Sequence, residues 1–126
     1  MTRWIDPAWL LAAARVILAL FFLIHAYLNF RDRDGMEKLM TELGVPYASA
    51  MLGLGIVLLV LGGVALLVNV ALAYVIPLLI GFVVVVTPIF HRFWQFEGER
   101  RTRARLAFLS NVGLIGGMLA LLAASR

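Results

Sequence analysis

The sequence predicts an all-α integral membrane protein: a four-helix bundle with one short amphipathic helix at the membrane interface. Three observations carry that expectation. Hydrophobic residues make up 63% of the 126 positions and charged residues 14%, whereas soluble domains run nearer half and a quarter. No Asp, Glu, Lys or Arg occurs in the 49 residues from Leu43 to His91. Flanking stretches Pro7–Phe30, with Arg15 as the single charge, and Leu106–Ser125, with none, are each long enough for one crossing. The chain is read as one transmembrane domain, 1–126.

The first span is placed at about 8–29. Arg15, the apolar run Val16–Ile24 and Ala26 loosely resemble a secretory leader, but no small-x-small cleavage site follows, so the span is read as retained. A capping box is expected next, with Asp34 as the cap and Glu37 three residues on. Met36, Leu39, Met40 and Leu43 then follow i, i+3, i+4, i+7 spacing, which gives an amphipathic helix over about 35–43. It lies on the membrane surface or packs across the ends of the spans. Gly44 and Pro46 stop it. As one helix, the charge-free stretch would run about 70 Å, more than twice a bilayer core. It must therefore fold back, and Asn69 marks the turn near 68–72, between spans at about 47–68 and 72–91. The last span is placed at about 106–124.

The charges between spans give an orientation. Loops 30–46 and 92–105 carry eight Lys and Arg residues against three on the other side. The positive-inside rule puts both loops in the cytoplasm and both termini outside. Phe93, Trp94 and Phe96 precede Arg100, Arg101, Arg103 and Arg105, an aromatic belt leading into a basic run that suits anionic lipid headgroups. The lipid bilayer thus accounts for the pI of about 10.4, and nucleic acid is not expected as a partner.

Composition narrows the chemistry. The absence of cysteine excludes disulfides, thiolate metal sites and iron–sulfur ligation within this chain, and two histidines are too few for a three-histidine zinc centre. No nucleophile elbow or phosphate loop is present, and all seven acidic residues lie outside the predicted spans. Polar residues inside the spans are the informative ones. Arg15, Ala19, Phe22, Ala26 and Asn29 share one helical meridian, a seam that is small in the middle and polar at its ends. Arg15 either contacts an anion or quinone oxygen or snorkels to the headgroups. His25 and His91 close two parallel spans, so both lie toward one membrane face. There they are satisfied interhelical histidines, partners for a quinone oxygen or a proton, or, as the weakest alternative, axial haem ligands. Gly62 and Gly63, and Gly113 and Gly117 in GxxxG spacing, are expected to pack helices within the bundle, with Asn111 bonded across it. Pro77 and Pro88 are expected to kink the third span.

The ordered set of motifs resembles the DoxX family of small four-helix bacterial membrane proteins. These are Ala14-Arg15 opening the first span, Leu43-Gly44-Val45-Pro46, Gly62-Gly63, His91-Arg92-Phe93-Trp94, and Ser110-Asn111 with Gly116-Gly117. Arg15, His91, Phe93, Trp94 and Asn111 match the family pattern. The resemblance implies quinone-linked redox work at the membrane, commonly as a subunit alongside other membrane proteins. Two departures bear on activity. Relatives often carry Ser-Gly and a lysine late in the first span, where this chain reads His25 to Phe30. They often carry a glutamate before the second-span glycines, where Ile56–Leu61 is entirely aliphatic. The expectation is therefore an accessory or anchoring subunit of a quinone-linked complex, not catalytic by itself, with His91, Trp94, His25 and Arg15 as the residues to meet quinone. A free-standing quinone-binding protein and a small transporter or channel component are the alternatives.

Overall fold

The computed structural model describes residues 6–125. Within them lie five α-helices and one 3-10 turn: α1 Pro7–Arg31, α2 Arg33–Glu42, α3 Ala48–Val68, α4 Leu72–Phe90, the turn Phe93–Gln95, and α5 Gly98–Ala124. Among the described residues, α1, α3, α4 and α5 are long and apolar enough to cross a membrane. The protein is a multi-pass, all-α membrane bundle.

Local chemistry explains most boundaries. Asp6 accepts a hydrogen bond from Ala8 N at 2.9 Å, and Pro7 supplies the pre-set φ of a first helical residue. The predicted capping box on Asp34 and Glu37 does not form. Asp32 is the cap of α2 and makes no side-chain cap bond. Its N–H bonds back to Leu28 O and its carbonyl accepts from Met36 N, so α2 follows α1 after a single residue. α2 begins at Arg33, so Asp34 already lies inside the helix and is not in the cap position. Gly44 does end α2, at φ 89°. Val45 N bonds to Met40 O and Gly44 N to Thr41 O, the paired bonds of a Schellman motif. The fold-back lies where Asn69 predicted it: Asn69 and Ala71 adopt left-handed φ of 62° and 54°.

The last helix begins eight residues before the expected span. The stretch Gly98–Arg105 is helical, so Arg100, Arg101, Arg103 and Arg105 ride on about 12 Å of α5 ahead of its apolar part. The change from charged to apolar residues at Leu106 is a change of composition within one helix. It does not mark where the helix ends.

The helices form an antiparallel ring in the order α1, α3, α4, α5, closed by the slight contact of α5 with α1. Ala19, Phe22 and Ala26 of the α1 seam are buried against this core, joined by Leu59, Leu66, Ile76, Leu79 and Met118. The glycine pair of α3 separates two close approaches. A Cβ on Gly62 would sit 2.7 Å from Leu79 Cδ2 of α4; one on Gly63 would sit 2.7 Å from Leu23 Cγ and 3.3 Å from the Ala19 carbonyl oxygen of α1. The α5 glycines behave differently. Around Gly113, Gly116 and Gly117 the space is open, and they lie exposed on the outside of the bundle. The expected packing of Gly113 and Gly117 within the chain is therefore corrected. The α5 core face is set by Asn111, Leu114, Met118 and Leu121, and a position two residues after Asn111 points about 200° away from it.

Candidate functional site: a cavity at one end of the bundle

At the end of the bundle where α2 lies, a cavity of about 390 Å³ opens between the helices. All five α-helices wall it. Apolar side chains such as Phe22, Leu52, Leu59, Phe82 and Val83 supply most of the wall, and four polar side chains reach it: His25, Asn29, His91 and Asn111. α2 turns its apolar face inward, so Met36, Leu39 and Met40 line the cavity and Met40 is buried. The short helix thus packs across the bundle end with the face that was open to lipid in the alternative reading.

Each polar group is held by a distinct local device. His25 is at the rim, exposed on one side. Its Nδ1 donates to Phe21 O, 2.9 Å away, one turn earlier in α1, and its ring lies against the Phe21 ring with centroids 4.2 Å apart. His91 caps α4 and is half-buried, and its backbone N–H bonds to Thr87 O at 2.8 Å. Arg92 braces this end. Its Nε donates to Ile89 O at 3.0 Å and its Nη2 to Leu43 O at 3.4 Å, which ties the end of α4 to the turn after α2. Asn111 reaches across from α5. Its Nδ2 donates to Thr87 Oγ1 at 3.0 Å, and the Thr87 hydroxyl donates to Val83 O at 2.6 Å. Thr87 is the one buried polar side chain among the described residues. Its pairing with Asn111 meets the need of any polar group at that depth for a partner.

The structure gathers His25 and His91, as expected for two parallel spans, and adds Asn29 and Asn111. It does not gather Arg15 or Trp94. Arg15 lies ten residues before His25, about 15 Å along α1 toward the other end. Its Nη1 donates to the carbonyls of Leu66 at 3.0 Å and Leu67 at 3.5 Å. These belong to the last turn of α3, whose carbonyls lack helical partners and carry the negative end of the helix dipole. Arg15 is placed as a cap for a neighbouring helix. Trp94 lies outside the cavity wall and is half-exposed, edge-on to Phe93 at 5.3 Å and Phe108 at 6.0 Å. Arg100 covers the Phe96 ring at 3.9 Å, so the basic turn of α5 and the aromatic segment form one continuous surface. Among the described residues, no three His, Asp or Glu side chains converge as a metal site would require.

Sequence reasoning missed Thr87 and the methionines of α2 as parts of one site. The signal for Thr87 was present: a hydroxyl one turn before His91, directly after the aliphatic run Val83–Val86. The methionines were read only as a periodic apolar face.

Comparison with known proteins gives one positive result. No match was found among curated proteins or among solved structures. The DoxX family model matches residues 10–92, which are 83 of the 126 residues and carry every cavity side chain except those of α5. The chain therefore belongs to the DoxX family.

Proposed function

We propose that this protein binds a quinone headgroup in the cavity beneath α2 and serves as a quinone-docking accessory subunit of a membrane redox complex. One observation carries the reading: an apolar cavity of about 390 Å³, within the size range of small-molecule sites, with four convergent polar side chains and no charged one. An isoprenoid quinone has that chemistry. Its planar ring and tail are apolar, and its two ring oxygens need hydrogen-bond partners. His91 from α4 and Asn29 from α1 carry side-chain N–H donors free to turn to those oxygens, Asn111 from α5 keeps a second amide N–H, and His25 adds a fourth polar position. The absence of acidic side chains in the described span cores supports a docking role over a carboxylate-based proton relay. The open glycine face of α5 is where a partner helix can approach closely. In this reading the end with the α5 arginines faces the cytoplasm of a bacterial inner membrane and meets anionic lipid, an assignment supported by the excess of basic residues there.

The test is gentle solubilisation of native membranes, followed by solvent extraction and mass analysis of the purified chain. The expected result is stoichiometric quinone and at least one redox-active companion subunit. A solitary chain that retains quinone would favour the free-standing alternative. A solitary, quinone-free chain that also fails to take up added quinone would overturn the proposal.

A further inference from the structure

We infer that the cavity selects the reduced, hydroxyl-bearing form of its ring ligand, a hydroquinone over the corresponding quinone, and that His25 sets this choice. The inference rests on the quinone reading above and concerns the polarity of the hydrogen bonds the wall can make. A carbonyl oxygen only accepts, so the 2.9 Å contact of His25 Nδ1 with Phe21 O places the ring proton on Nδ1. Nε2 is left as a bare acceptor. The Phe21 ring against the imidazole keeps it in that orientation. Asn111 is oriented by similar logic. The Thr87 hydroxyl spends its proton on Val83 O at 2.6 Å, so its oxygen accepts from Asn111, and the amide turns its NH₂ end to Thr87. The carbonyl oxygen Oδ1 is the amide's other end.

His25 therefore presents a fixed lone pair to the cavity it lines, whereas Asn111 keeps a second amide N–H and can serve either form. A quinone has only acceptor oxygens. At His25 it would set lone pair against lone pair and strip Nε2 of water without replacing the bond. A hydroquinone hydroxyl donates to Nε2 and satisfies both partners. Asn29 and His91 have no side-chain hydrogen bond among the described residues and can turn to suit either form. They add affinity without preference.

The experiment measures binding of a decyl-substituted benzoquinone and its hydroquinone to the full chain in nanodiscs at pH 8. The absence of cysteine lets a chemical reductant be present without altering the protein. The hydroquinone is expected to bind roughly tenfold more tightly, the order set by one unmet acceptor in an apolar site. His25→Phe, which keeps the stacking and removes the acceptor, should bind both forms within about twofold of each other. Thr87→Val, which leaves His25 untouched, should keep the preference. Equal affinity of the wild-type chain for the two forms, or tighter quinone, overturns the inference and leaves the quinone reading standing. Binding of neither form overturns both. The wild-type comparison alone decides the matter if a variant fails to fold.

Discussion

Replacing Gly63 with alanine should loosen the α1–α3 seam. The added Cβ would lie 2.7 Å from Leu23 Cγ and 3.3 Å from Ala19 O. Carbon–carbon contacts relax to about 3.5–4.0 Å, so the neighbour must yield by about 1 Å. Leu23 Cγ is the branch point of its side chain, not a free end, and Ala19 O is backbone. Relief therefore requires α1 to move away from α3. That motion also strains the Arg15 bond to Leu66 O at 3.0 Å, one turn along α3. Overpacking of this kind costs about 1–3 kcal/mol. Alanine also gains about 1 kcal/mol of helix propensity over glycine, so the informative quantity is a difference. Gly113→Ala has the same propensity gain and meets nothing within 4 Å. Reversible unfolding in mixed micelles, followed by tryptophan fluorescence and helical ellipticity, should show Gly63→Ala about 1–3 kcal/mol less stable than Gly113→Ala. Equal stability of the two variants would refute the close approach and the placement of α1 on α3.

Three further outcomes follow from the same geometry. Thr87→Val removes the acceptor of the Asn111 amide and should cost about 1 kcal/mol in the same unfolding assay; an unchanged transition would mean that the α4–α5 link adds nothing. Arg15→Met should lower hydrogen-exchange protection at the end of α3, because the Leu66 and Leu67 carbonyls lose their donor. Its quinone affinity should be unchanged, and a large loss would return Arg15 to the ligand site. Ala71→Gly should stabilise the fold by about 1 kcal/mol in the unfolding assay, since a left-handed φ of 54° strains alanine and not glycine. Destabilisation would show that the α3–α4 turn does not hold that conformation.

The spans were legible because hydrocarbon admits few charges, and the 49 charge-free residues from Leu43 to His91 had to fold back. Asn69 betrayed the turn because asparagine tolerates the left-handed conformation that ends α3. The start of α5 was not legible from hydropathy, since Gly98–Arg105 is helical and charged at once. Asp34 and Glu37 formed a plausible local cap, yet α2 starts at Arg33 with Asp32 in the cap position, which leaves Asp34 inside the helix. At the site, helix direction alone put His25 and His91 at one end. Their meeting in one cavity with Asn111 depends on how α4 and α5 pack, which periodicity does not encode. The same reason separates the glycines: GxxxG spacing shows that a face is smooth, and only the fold shows that Gly63 faces a helix while Gly113 faces outward.

Photolabelling tests the central claim most directly. A short-chain azido-quinone would be bound to the chain in nanodiscs, irradiated, and the adducts mapped by peptide mass analysis. The account requires label within 21–40 and 82–91, the segments of α1, α2 and α4 that wall the cavity, with competition by unlabelled quinone. Label concentrated around Arg15 or on the outward glycine face of α5, or spread along all spans and indifferent to competitor, would contradict it.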